Sequence, residues 1–218
     1  MKIKIYIILI SICFGCNKTQ NEVLEINQWH FKYNNDWLKA DVPGNNFSDL
    51  LSNNIIPDPF YGTNEDSVQW VAEREWVYKS NFKLSEKFLQ KDKHEIIFNG
   101  LDTYAQVYLN DSLILKSDNM FRTWILNLDN ILREKNSLVV KFTPTSLHEK
   151  NKEINLGYKL PGGGKVHTRK AGFHYGWDWG PKITVSGIWK PITIKGYSKS
   201  SIKDLYIQQK EILDSLAK

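Results

Sequence analysis

The sequence predicts an all-β fold, an antiparallel β-sandwich or jelly roll carrying one long functional loop. Three observations lead there. Short alternating apolar and polar segments recur at a spacing of about 10 residues. Gly, Pro, Asn and Asp turn signals separate them. Helical periodicity is almost absent from the body of the chain.

The elements follow in order. Leu24 to Tyr33 is a first strand, with Trp29, Phe31 and Tyr33 on one face, and Trp37 to Val42 is a second. Pro43-Gly44 breaks the chain. Ser48 to Leu51 suits a short helical turn, and Asp66 to Ala72 one or two more. Between them Pro57 and Pro59 make Ile55 to Gly62 a rigid extended loop. Trp76, Tyr78, Ser80 and Phe82 alternate with Val77, Lys79, Asn81 and Lys83, a clear strand. Glu95 to Phe98 is short and apolar. Tyr104 to Leu109 and Leu113 to Leu115 flank Asn110-Asp111, a hairpin signal. Phe121 to Leu126, the face of Leu138, Val140 and Phe142, Ile188 to Ile194, and Ile202 to Ile207 complete the series. Between Pro144 and Ile183 the strand signal lapses for about 40 residues, long for a structureless connection and typical of a functional loop.

Composition narrows the class. The 218 residues suit one domain with a fraction over, and 41% hydrophobic with 24% charged residues excludes wholesale disorder or a fibrous chain. Aromatics reach 13%, with 8 Trp, the one unusual figure. The net charge of +5 is spread along the chain and includes Lys2 and Lys4 of a segment expected to be removed, which argues against a nucleic-acid partner.

The start reads as an address. Lys2 and Lys4 precede an apolar stretch from Ile5 to Phe14, too short for a bilayer span of about 20 residues but suited to a secretory signal over residues 1–15. Gly15-Cys16 follows and resembles a bacterial lipobox, although Cys13 and Phe14 stand where small or aliphatic residues are usual. The expectation is an exported bacterial lipoprotein, periplasmic or at the cell surface, lipidated on Cys16. It would meet the membrane through that anchor only. An ordinary cleaved signal, or a cytoplasmic chain with an apolar start, is the alternative. Residues 16–23 read as a tether. Cys13 and Cys16 are the only cysteines, so cleavage before Cys16 leaves no disulfide.

The long loop carries the chemistry. Its end reads Tyr175-Gly176-Trp177-Asp178-Trp179-Gly180-Pro181. A pyranose ring packs its C–H face on indole, and a carboxylate accepts from two hydroxyls at once through charge-assisted bonds. If the segment is extended, Trp177 and Trp179 face one way and Asp178 the other, unless a bend gathers all three. The competing reading is two core tryptophans around a turn-capping aspartate. Other motifs fail. Gly162-Gly163-Gly164-Lys165 lacks the P-loop's spacing and its Ser or Thr, since Val166 follows. His167 and His174 have no Cys nearby, so no metal site is expected. Trp177-Asp178 without a repeat is not a propeller signature. Lys165, Arg169 and Lys170 beside aromatics suit single-stranded nucleic acid poorly in an exported chain. Asn110-Asp111-Ser112 fits a glycosylation sequon that the hairpin turn already explains.

Four stretches together resemble a known family. They are Val42-Pro43-Gly44; Ile56 to Glu65 with Gln69-Trp70; Gly100 to Ala105 running on to Asp118-Asn119-Met120-Phe121-Arg122; and Arg169-Lys170-Ala171 with Tyr175 to Pro181 and Ser186 to Pro191. The chain from about 26 to 207 thereby resembles the N-terminal sugar-binding domain of glycoside hydrolase family two β-mannosidases, a galactose-binding-domain-like jelly roll. The resemblance implies a domain over 24–198, followed in relatives by an immunoglobulin-like domain and a (β/α)8 barrel. That barrel holds the two catalytic carboxyls, about 5–5.5 Å apart in retaining glycosidases. It implies a β-mannoside or mannose-containing glycan as ligand, no cofactor, and the barrel as partner. Trp177 and Asp178 would recognise terminal mannose, with Trp179, Arg169 and His174 as supports. Residues 199–218 would begin a truncated immunoglobulin-like domain, with 202–207 its first strand. No barrel is present before Lys218, so this chain alone is expected not to hydrolyse mannosides. No catalytic residue is assigned; Asn64-Glu65 belongs to the Tyr61-Gly62-Thr63 loop, not to a barrel's acid/base pair. A stand-alone carbohydrate-binding surface lipoprotein is the alternative, and a non-functional remnant a third reading.

Overall fold

The computed structural model describes residues 21–218 apart from positions 201, 203, 214 and 218. The signal segment, Cys16 and the tether as far as residue 20 lie outside the described residues. Two antiparallel sheets face each other. The smaller contains β1 (Glu22–Glu25), β10 (Ile192–Tyr197), β5 (Lys93–Phe98) and β8 (Trp124–Asn127), in that order. The larger runs β3 (Asp36–Ala40), β2 (Trp29–Tyr33), β4 (Trp76–Lys83), β9 (Lys135–Phe142), β6 (Tyr104–Leu109), β7 (Ser112–Asp118). This is the all-β sandwich the alternating segments predict. Its core is the inward face of each strand. Trp76, Tyr78 and Ser80 alternate into the interior along β4, and Leu138, Val140 and Phe142 along β9, register partners across that pair. Tyr78 and Phe142 meet edge to face at 5.8 Å between ring centres.

Several boundaries depart from expectation, each for a local reason. The first strand is two: Gln28 takes φ +62°, and the chain leaves β1 in one sheet to enter β2 in the other. Strand pairing starts at Glu22, opposite Gly196, inside the stretch expected as tether. The Phe121 strand begins only at Trp124, because Asn119 Oδ1 accepts the Phe121 N–H in a tight turn. The Ile188 strand begins at Ile192, because residues 186–188 spend their backbone groups on other loops and Pro191 has no N–H to give. Asn110 and Asp111 both take positive φ, as the hairpin signal requires.

Two differences are larger. The long loop contains an α-helix, Thr145–Leu156, which ends where Gly157 turns left-handed at φ +78°. It buries only Thr145 and leaves Leu147 and Ile154 exposed, so no apolar stripe announces it. The strand expected at 202–207 does not form among the described residues of that stretch, and Ile202, Leu205, Tyr206 and Ile207 are all exposed. A short hairpin of β11 (Ile212–Leu213) and β12 (Leu216–Ala217) follows instead. The remaining helices among the described residues are α1 (Asn46–Ser52), started by an Asn45–Ser48 capping box, a turn at Asn64–Ser67, 3₁₀ turns at Gln69–Glu73, Gly163–His167 and Gly172–Tyr175, and Glu86–Leu89 capped by Ser85.

Candidate functional site

At one end of the sandwich the long loop returns to the sheets through a dense backbone seam. Gly44 N donates to Ile188 O and Asn46 N to Ser186 O, both at 2.9 Å. Asp102 and Gly187 exchange both backbone bonds, at 2.9 and 3.0 Å. Gly187 is needed for this closeness, because a Cβ there would stand 2.6 Å from both Asn45 Cα and Gly44 O. Helix α1 is fixed beneath by Asp49. Its Oδ1 accepts Asp41 N at 2.9 Å and its Oδ2 accepts the Tyr78 hydroxyl at 2.8 Å.

From the seam the loop reaches out to a tight turn. Trp177 N donates to Gly180 O at 2.9 Å and Gly180 N to Trp177 O at 3.2 Å, which puts Asp178 and Trp179 at the tip. Gly176 enters the turn at φ +81°, with Lys182 packed against its open side. The bend, rather than an extended strand, decides the geometry. Trp177, Asp178 and Trp179 all line one cleft of about 410 Å³, opposite Pro59, Phe60 and Gly62. Trp177 is 67% exposed and Trp179 86%, so neither is a core tryptophan. The Asp178 carboxylate is exposed and makes no hydrogen bond or ion pair among the described residues, so it caps nothing. Glu65 holds the turn's neck: its Oε1 accepts Lys182 N at 2.6 Å, while Gln69 Nε2 donates to Lys182 O at 2.9 Å.

Beneath the turn lies a buried charged cluster. Lys170 Nζ donates to Asp102 Oδ1 and to Val185 O, each at 2.6 Å, with both charged side chains at most 2% exposed. His174 Nδ1 faces Asp102 Oδ2 at 3.4 Å. Burial pulls Lys170 below its usual range against the attraction of Asp102. Burial first, and Lys170 second, pull His174 down to about 4, with Asp102 opposing, so the ring is neutral at neutral pH. Tyr175 donates its hydroxyl to Glu149 of the helix at 145–156, and burial raises it.

Of the residues singled out in the sequence, Trp177, Asp178 and Trp179 share the tip and His174 lies in the cluster below. Arg169 is exposed and is held by its backbone, whose carbonyl accepts Met120 N at 3.0 Å. Its neighbour Lys170 is the one that enters the interior. Sequence reasoning missed Lys170, Asp102, Glu65 and Gln69 as supports of the turn. Each stands in a stretch that carries the family resemblance, but nothing in the sequence shows that these stretches meet. Among the described residues no group of three or more His, Cys, Asp or Glu is placed to hold a metal. A larger groove, of about 730 Å³, lies at the far end of the sandwich around Asn110 and Asn136, whose side chains already bond each other and the main chain.

The buried ionisable groups give a pH test. Burial pushes Asp49 from the usual 3.8 up to about 6, against the pull of the Asp41 N–H and the Tyr78 hydroxyl. An acid raised on folding contributes stability that is complete below its unfolded value and lost as pH rises through the folded one. A base depressed on folding, as His174 is, contributes stability complete above 6.5 and lost as pH falls through about 4. The two slopes oppose each other. Asp49→Asn should therefore gain on the wild type in melting temperature as pH rises from about 4 to about 6, and His174→Gln should lose on it. Melting curves that shift in parallel for all three proteins would exclude both.

Two facing antiparallel sheets closed at one end by a long loop define an all-β sandwich class of domain. A profile described as "Glycosyl hydrolase 2 galactose-binding domain-like" matches residues 29–190, and the chain belongs to that family. Within it the chain is similar to β-mannosidases. It is 37% identical over 175 residues to β-mannosidase B of Thermothelomyces thermophilus, covering 78% of this chain and 20% of that protein. It is 29% identical over 211 residues to the β-mannosidase of Mus musculus, covering 91% of this chain and 24% of that one. The crystal structure of the β-D-mannosidase of Dictyoglomus thermophilum superposes with a TM-score of 0.84 at 38% identity, over 88% of this chain and 24% of that chain. The exo-chitosanase of Amycolatopsis orientalis, at 15% identity and a TM-score of 0.62, shares the fold. The chain thus spans between a fifth and a quarter of the length of these β-mannosidases.

Proposed function

We propose that this chain is the non-catalytic, substrate-recognising domain of a β-mannosidase, and that its Trp177–Gly180 turn forms part of the pocket for a terminal non-reducing β-D-mannose. In this reading Trp177 packs on the sugar face and Asp178 accepts from its hydroxyls. Trp179, His174 and Arg169 support them, and the catalytic carboxyls come from a barrel on the same longer protein. The exposed aromatics Phe60, Tyr61, Phe173 and Trp179 suit burial against such a barrel. Residues 199–218 lead toward the next domain, and Cys16 carries the lipid that holds the exported protein to a membrane.

One observation carries the reading: a carboxylate without a partner, between two exposed indoles, on a turn braced from below. A glycan titration tests it. Methyl β-D-mannoside should bind the purified chain in the millimolar range or more weakly, about −4 kcal/mol or less in magnitude, as suits half a pocket. The signal should vanish in Trp177→Ala. The chain should release no p-nitrophenol from p-nitrophenyl β-D-mannoside. Absence of any saturable binding up to about 100 mM would remove the sugar-facing role from the turn. Micromolar binding would instead favour a stand-alone carbohydrate-binding lipoprotein.

A further inference from the structure

We propose that the buried Asp102–Lys170 pair is the positioning device of the turn, fixing where Trp177 and Asp178 stand without touching what they bind. The pair joins three points. Asp102 stands just before β6 of the six-stranded sheet, and its own backbone exchanges two bonds with Gly187 on the outgoing limb of the loop. Lys170 stands on the incoming limb, and its ammonium reaches both the Asp102 carboxylate and Val185 O on the outgoing limb. One ammonium and one carboxylate therefore close the loop at its base and lock that base to the sheet. The second carboxylate oxygen is aimed at His174 Nδ1, and neither atom has another polar partner among the described residues. The His174 carbonyl in turn accepts Thr184 Oγ1 at 3.0 Å, a second tie between the limbs.

Stability alone is a poor reason for such a pair. Removing two charges from water costs about as much as their attraction returns, and an apolar pair of equal volume often serves as well. Short, directed bonds from a sheet-borne carboxylate supply position. The tip needs that supply, because its two indoles are mostly in water and bring little packing of their own. A turn held in place before ligand arrives is spared the ordering cost on binding.

The sugar consequence rests on the function proposed above; the positioning claim does not, so the test reads the turn without sugar. Three variants are compared: Asp102→Asn, Lys170→Met and the double. Each single variant leaves one buried charge unpaired and should melt lower than wild type. The double variant has no orphaned charge and should recover most of the melting temperature. Its Trp177 and Gly180 amides, paired across the turn, should still exchange about tenfold faster or more than in wild type. The indole N–H resonances of Trp177 and Trp179 should move toward free-peptide positions. A double variant with restored melting and wild-type protection would overturn the proposal, since any filler would then do. A double variant that does not fold would overturn it too, because the pair would then be holding the fold. If the variants behave as expected but wild type binds no methyl β-D-mannoside, the sugar reading fails and the positioning role stands.

Discussion

Asp178→Ala should abolish the mannoside signal of this chain and leave its melting curve unchanged. The carboxylate is exposed and bonds to no described residue, so its loss falls among surface substitutions worth about 0.5 kcal/mol or less in stability. The cost in recognition is separate. Each charge-assisted hydrogen bond to a sugar hydroxyl is worth about 1.5–3 kcal/mol, or about ten- to a hundredfold. In a longer enzyme carrying this domain the same change should lower kcat/KM for a β-mannoside by that factor. Asp178→Asn keeps an acceptor without the charge and should fall between. A well-folded Asp178→Ala enzyme with unchanged kcat/KM would end the role assigned to this residue.

The part of this site that could be read from sequence is the part that touches solvent. Trp177-Asp178-Trp179 stands out because indole faces and a carboxylate together suit a pyranose, and the flanking glycines announce a bend. The bend's direction was open: alternation would have set Asp178 on the opposite face, and only the Trp177–Gly180 pairing gathers all three. The supports were opaque because they are long-range. Asp102 meets Lys170 across 68 residues, and Glu65 meets Lys182 across 117. A lone buried lysine has no local signature. Strands of the sandwich were legible wherever one face is buried, as in β4 and β9, since alternation is the direct imprint of a half-buried sheet. The helix at 145–156 was not, because it lies on the surface and buries a single residue. The segment at 202–207 has a strand's composition but pairs with nothing described, which marks how far residue pattern depends on a neighbour to become structure.

Trp76→Ala should be the most destabilising single change in the fold, and it should reach the site. Trp76 opens β4 and is 1% exposed. Its ring stands 6.1 Å from Phe31 and 6.2 Å from Trp70, and Arg74 lies over it at 5.6 Å. Its indole N–H donates to Val71 O at 2.8 Å. Removing a buried Trp costs about 3–5 kcal/mol, a large share of a domain stability of about 5–15 kcal/mol. The melting temperature should fall by about 6–20 °C, at about 2–4 °C per kcal/mol for a chain of this size. Val71 belongs to the 3₁₀ turn that also carries Gln69, whose amide holds Lys182 O at the neck of the Trp177 turn. Losing the Trp76–Val71 bond should therefore loosen the neck as well as the core. Trp76→Phe separates the two effects: it keeps a six-membered ring in the core and loses the pyrrole ring with its N–H, so it should cost about 1–3 kcal/mol for the orphaned carbonyl. If Trp76→Ala melts within about 3 °C of wild type, less than the smallest cavity cost allows, the aromatic cluster is not the keystone of the larger sheet. If it melts low but the Trp177 and Gly180 amides stay protected below the transition, the turn is held without Gln69, whose contact follows the turn's position instead of setting it.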